Sequence, residues 1–143
     1  MTVSSILKDK GRDVATIAPD ATLQDAVNML AAHKIGAVVV TDFANRVSGI
    51  LSERDIVRAT SASGCDALKE PVSAYMTREV VTCGPQDSTE RLMEMMTAGR
   101  MRHLPVTEDG KLTGIISIGD VVKRRIADAE LEAESLKAYI ASG

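Results

Sequence analysis

A nine-residue pattern occurs twice in this chain, as Gly49-Ile50-Leu51-Ser52-Glu53-Arg54-Asp55-Ile56-Val57 and Gly114-Ile115-Ile116-Ser117-Ile118-Gly119-Asp120-Val121-Val122. Each copy reads glycine, two aliphatics, serine, two variable residues, aspartate and two more aliphatics. An aliphatic run that passes straight into Ser-x-x-Asp predicts a buried strand turning into a helix, with serine as N-cap and aspartate in the first turn. Two chemistries fit that corner. In one, serine and aspartate only cap the helix and complement its dipole. In the other, the free N–H groups and hydroxyl attract a phosphate, and the carboxylate accepts the two hydroxyls of a ribose. The local pattern leaves both open.

The corners belong to a longer repeat. Thr16-Ile17-Ala18-Pro19 lies over Thr82-Cys83-Gly84-Pro85, and Val40-Thr41-Asp42 over Val106-Thr107-Glu108, both at an offset of 66 residues. The corners themselves are offset by 65 residues, which implies a one-residue deletion in the second hairpin turn. Val3 to Leu7 lies over Val72 to Met76 at an offset of 69 residues. The chain therefore divides into a first copy (1–65), a second copy (66–127) and an extension (128–143).

Each copy starts with a short helical turn and an extended piece, Val14–Ala18 or Val80–Cys83. A helix follows from Thr22 or Ser88. Leu23, Ala26, Val27 and Leu30 form its apolar stripe, with Thr89, Leu92, Met93 and Met96 as counterparts. The methionines suit flexible core packing. An aliphatic strand, a hairpin turn and a return strand then lead into the corner and a closing helix. The order is β-α-β-β-α, an α+β fold of two tandem repeats packed through their sheets with pseudo-twofold symmetry. Ser61–Gly64 reads as a linker. The second closing helix continues without glycine or proline from Val121 to Ile140. There Val122, Ile126, Ala129, Ala133, Leu136 and Ile140 repeat in heptad-like steps, facing either the chain's own body or a partner subunit. Glu132 and Lys137 read as solvated surface.

Bulk properties narrow the function. The rings are Phe43, Tyr75 and Tyr139, 2% of the chain, and the formal charge is −3. Neither suits a base-stacking or phosphate-tracking nucleic-acid surface. Cys65 and Cys83 lack metal or redox spacing and read as free thiols. No apolar run approaches membrane-spanning length, and no secretory signal is visible. The expected location is cytoplasmic, with neither nucleic acid nor membrane as partner.

In register, these motifs resemble a tandem pair of cystathionine β-synthase (CBS) domains, also called a Bateman module. The resemblance rests on both corners, on Arg102-His103-Leu104-Pro105-Val106, on Ile35-Gly36-Ala37-Val38-Val39-Val40 and on Met76-Thr77-Arg78-Glu79-Val80-Val81-Thr82, and it covers nearly the whole chain. It implies two pseudo-equivalent clefts between the copies that take AMP, ADP, ATP, S-adenosylmethionine or a dinucleotide. It also implies a regulatory role toward an unidentified protein, and a homodimer. Carried over by position, the ribose carboxylates are Asp55 and Asp120, with Ser52 and Ser117 beside them. Asp55 is expected to face Arg78, Val80, Arg100, Arg102 and His103. Asp120 is expected to face Arg12, Val14, Gly36 and Ala37. Arg54, Arg100 and Arg102 make the Asp55 cleft a phosphate cradle. The Asp120 cleft, with Gly119 in place of Arg54, has fewer cations and more room, enough for a dinucleotide such as NAD.

Catalysis finds no support in the motifs. There is no nucleophile elbow, phosphate-binding P-loop or dinucleotide glycine fingerprint. His33 and His103 lie in different copies and in no metal spacing. The expectation is a non-enzymatic sensor with neither catalytic cofactor nor metal. A ligand-independent dimerisation scaffold, in which both corners serve only as caps, is the alternative.

Overall fold

The computed structural model describes residues 2–142. Helix α1 (Val3–Lys10) leads into strand β1 (Thr16–Ile17), helix α2 (Leu23–His33), strands β2 (Ala37–Thr41) and β3 (Val47–Ser52), and helix α3 (Glu53–Ser63). Two 3-10 turns, Gly64–Lys69 and Val72–Ala74, connect to helix α4 (Thr89–Gly99), strands β4 (His103–Glu108) and β5 (Lys111–Ser117), and the long helix α5 (Ile118–Ser142). Two small sheets result, ordered β1-β2-β3 and β4-β5. No described helix is long and apolar enough to cross a membrane.

The helix starts follow their caps. Thr22 accepts the Asp25 N–H in a full capping box, and Ser88 accepts the Arg91 N–H. Both helices end on a left-handed residue, Lys34 and Arg100, each at φ 53°. The second hairpin turns through Asp109 and Gly110, both at positive φ, as a tight two-residue turn requires.

The copies differ at one edge. In the first, β1 pairs parallel with β2, and the Val39 N–H donates to the Ala15 carbonyl at 3.4 Å. The position matching Val39 is Pro105, which has no N–H to give. The expected strand at Val80–Cys83 accordingly shrinks to a single bridge between Cys83 and Val106. The expected linker at Ser61–Gly64 is also different. Helix α3 runs through Ser63, with Thr60 Oγ1 bonded to the carbonyls of Ile56 and Val57, and a 3-10 turn begins at Gly64.

Two cores form, and each borrows from outside its own copy. Ile17, Leu23, Leu30, Val38, Val40 and Leu51 pack with Ala67, Val72 and Met76 from the start of the second copy. Leu92, Met96, Leu104, Val106 and Ile116 pack with Val3, Ile6 and Leu7 of α1. Backbone bonds fix this exchange. Val3 N–H donates to the Asp87 carbonyl at 2.9 Å, and Val72 N–H to the Ala21 carbonyl at 2.7 Å. The halves also join at the hairpin tips, where Asn45 Nδ2 donates to the Leu112 carbonyl at 3.0 Å.

Candidate functional site

Each corner is a closed capping box. At the first, Asp55 Oδ2 accepts the Ser52 N–H at 2.9 Å and the Ser52 hydroxyl at 3.1 Å, while the Asp55 N–H donates to Ser52 Oγ at 3.3 Å. At the second, Asp120 Oδ2 accepts the Ser117 N–H at 2.8 Å and the Ser117 hydroxyl at 2.9 Å. Both β3 and β5 therefore hand over to a helix whose first turn is locked by the preceding serine. Among the described residues Asp55 Oδ1 takes no hydrogen bond, and it lies 3.9 Å from Arg58 Nη1.

The corners diverge in their long-range partners. Lys10, at the end of α1, donates from Nζ to Asp120 Oδ2 at 2.6 Å and to the Ile115 carbonyl at 2.9 Å. Burial pushes the Asp120 carboxyl up, but the bonds from Lys10 and from the Ser117 N–H and hydroxyl outweigh it and hold the carboxyl below its ordinary range. Half-buried His103 is held below the usual histidine range, first by burial, then by Lys10 and Arg102, with Asp120 opposing. It is neutral at pH 7.

Two cavities open beside the corners. One, about 530 Å³, is lined by Lys10, Val14, Lys34, Gly36, His103 and Ser117 among others. The other, about 300 Å³, gathers Ser52, Asp55, Arg54, Arg58, Arg100 and Arg102, with Thr77 at its wall. Gly36, Ala37 and His103 line both, so the cavities meet at the strand starts of β2 and β4. Both volumes fall at the lower end of those that hold small ligands.

Most of the expected residues are brought to these cavities; four are not. Arg12 pairs loosely with Glu108 at 3.8 Å and lines neither. Arg78 turns its guanidinium to the Ser73 carbonyl at 2.9 Å. Val80 lines neither cavity. Asp120 lines an adjoining recess of about 250 Å³ between α1 and α5, which shares Lys10 with the larger cavity. Sequence reasoning also missed Lys10, Lys34 and Arg58. Lys34 could have been found, since it sits 66 residues before Arg100 and takes the same left-handed cap. Lys10 could not, because nothing local ties it to a carboxylate 110 residues away.

Two strand-to-helix corners, two clefts and two exchanged cores make this a duplicated module, and the CBS domain family model matches residues 3–62 and 72–127. The chain belongs to the CBS-domain family. A CBS-domain containing protein of Agrobacterium tumefaciens, ATU1752, has a solved structure at 53% identity and TM-score 0.83, matching 87% of this chain and 99% of that one. The mitochondrial CBS domain-containing protein CBSX3 of Arabidopsis thaliana is 34% identical over 99% of this chain and 73% of its own. The CBS domain protein PAE2072 of Pyrobaculum aerophilum, solved in complex with AMP, is 27% identical with TM-score 0.75, over 84% of this chain and 89% of its own. The CBS pair described here is thus a regulatory module in a family with an AMP-bound member.

Proposed function

We propose that this CBS pair is a non-catalytic sensor that binds an adenine mononucleotide in the Asp55 cleft and signals its occupancy to a second protein. One observation carries the reading: Arg54, Arg58, Arg100 and Arg102 converge with Asp55 on a single cavity. Arginines suit a phosphate through their planar, multiply donating heads. A carboxylate beside them with one oxygen unbonded suits the ribose hydroxyls. Charge-assisted bonds of that kind contribute about 1.5–3 kcal/mol each. Adenine then lies against the aliphatic wall, without an aromatic shelf.

The Asp120 cleft fills second. Its carboxylate is already held by Lys10, so a ribose must displace an ammonium at 2.6 Å. Two lysines replace the four arginines, and the space is larger, about 530 against about 300 Å³. A bulkier adenosyl ligand, NAD included, suits it better than a compact monophosphate.

The closed capping boxes favour a second reading, a scaffold in which both aspartates serve only their helices. Thermal unfolding with AMP, ATP and NAD separates the two. A nucleotide at a hundredfold over its dissociation constant stabilises by about 2.7 kcal/mol, roughly 5–10 °C for a chain of this size. The sensor reading expects that shift with AMP or ATP, and its loss in Asp55→Ala. The scaffold reading expects no shift with any nucleotide, and an apo stability loss of about 1 kcal/mol in the variant. Absence of a shift with all three ligands overturns the sensor.

A further inference from the structure

Helix α5 leaves the body of the molecule soon after it starts. Val121 is its buried anchor, and every described residue from Ala129 to Ser142 is exposed. The apolar stripe is left in water: Val122, Ile126, Leu136 and Ile140 are 45%, 55%, 59% and 68% exposed. An overhang this long gets little support from propensity alone, because most helical stability in proteins comes from packing an apolar face. The stripe has no such face opposite it among the described residues.

The charges beside the stripe identify what covers it. With Ile126, Ala133 and Ile140 at a and Val122, Ala129 and Leu136 at d, positions g hold Arg125 and Glu132, and positions e hold Glu130 and Lys137. In a parallel, in-register pair each g residue faces the e residue five positions on in the other helix. Arg125 then meets Glu130 of the partner subunit, and Glu132 meets Lys137 of the partner subunit. Every such pair is opposite in sign, and the twofold axis doubles each. An antiparallel pair instead sets e against e and g against g. That places Lys123 near Lys137 of the partner subunit and Glu132 near Glu132 of the partner subunit, like against like. Within one helix Glu132 and Lys137 are five apart and do not face each other. They take part in no ion pair among the described residues. Arg125 bonds Glu90 through Nη1 at 2.8 Å, and its guanidinium has further donors for a second carboxylate.

We infer that α5 pairs with α5 of a second copy as a parallel two-stranded coiled coil over residues 122–140, about 28 Å long. Isoleucine at a with leucine at d suits two strands. The alanine layers at 129 and 133 draw the helices close at mid-length. The inference stands apart from the nucleotide reading, since it is tested without ligand.

The test uses the full chain with exposed Cys65 replaced, C65S, so that an introduced thiol reports alone; Cys83 is buried. Leu136→Cys places a thiol at a d layer, where the two copies meet and a disulfide has the right reach. Leu131→Cys, equally exposed but on the outer face, is the control. Mild oxidation is expected to link Leu136→Cys into dimers and leave Leu131→Cys monomeric. Lys137→Glu or Glu132→Lys added to Leu136→Cys is expected to cut the linked fraction about fivefold, and the double reversal to restore it. Circular dichroism and melting, read in parallel, are expected to match the parent at these exposed positions. Equal linking at 131 and 136, no linking at 136, or stronger linking with Lys137→Glu, as an antiparallel pair requires, overturns the inference.

Discussion

At the scale of single residues, the two clefts differ through one lysine. Lys10 and Asp120 form a short, half-buried ion pair, and the Asp55 corner has only the distant Arg58. Asp120 therefore titrates below its ordinary value of 3.8 while the pair is intact. A carboxyl with a depressed folded-state pKa adds stability that is complete above its unfolded value and is lost as pH falls through the folded value. Lys10→Met removes the cation and leaves burial to push the carboxyl up. The variant is expected to be less stable than the parent at pH 7, and the difference is expected to shrink below about pH 4, where Asp120 becomes neutral in both. Urea unfolding across pH 3–7 measures this, and a gap that does not narrow in acid assigns Lys10 a packing role instead. Both aspartates were legible in the sequence, because a doubled Ser-x-x-Asp is a local pattern. Their unequal partners were not, because they come from distant segments that only the fold brings together.

At the scale of elements, the glycine that opens each corner has a reason that spacing alone does not reveal. A Cβ at Gly49 would lie 2.7 Å from Met76 Sδ and 2.8 Å from the Thr77 carbonyl, and one at Gly114 would lie 2.8 Å from Leu7 Cδ2. Leu7 and Met76 are themselves repeat mates, so each return strand has been left bare where an entering segment crosses it. The two sites are not equally forgiving. Leu7 can shift a flexible end, whereas the Thr77 carbonyl is fixed by the Ile50 N–H at 3.0 Å. Gly114→Ala is expected to cost about 1 kcal/mol and Gly49→Ala about 3 kcal/mol, the two ends of the usual overpacking range. Thermal or urea unfolding of the two variants checks the order, and equal losses would mean that the backbone clash is relieved by a shift of the strand. The element order was readable because apolar period and caps recur at a constant offset. The missing edge strand was readable only in hindsight, from the proline that stands where an N–H was needed.

At the scale of the whole molecule, the repeat seen in sequence is not the unit that packs. Cutting at residue 65 follows the internal match, yet it separates Ala67, Val72 and Met76 from the core they complete and leaves Val3, Ile6 and Leu7 with nothing to cover. Val72 and Met76 are almost fully buried. Side chains of that kind contribute about 1.5–3 kcal/mol each, a large part of the 5–15 kcal/mol that holds a typical domain together. A fragment of residues 12–78 keeps the first core whole, and its Thr77 still pairs with Ile50. It is expected to unfold cooperatively on heating, whereas residues 1–65 are expected to show no cooperative transition. Calorimetry of the two fragments decides it, and a cooperative transition in 1–65 would show that the entering segments are trim, not core. The exchange also bears on signalling. Each core is closed by a segment that enters from beside the opposite cleft, Lys10 following Leu7 and Thr77 following Met76. A ligand that shifts Lys10 or Thr77 thus moves the piece that closes the other half, and occupancy of one cleft reaches both copies through the chain itself.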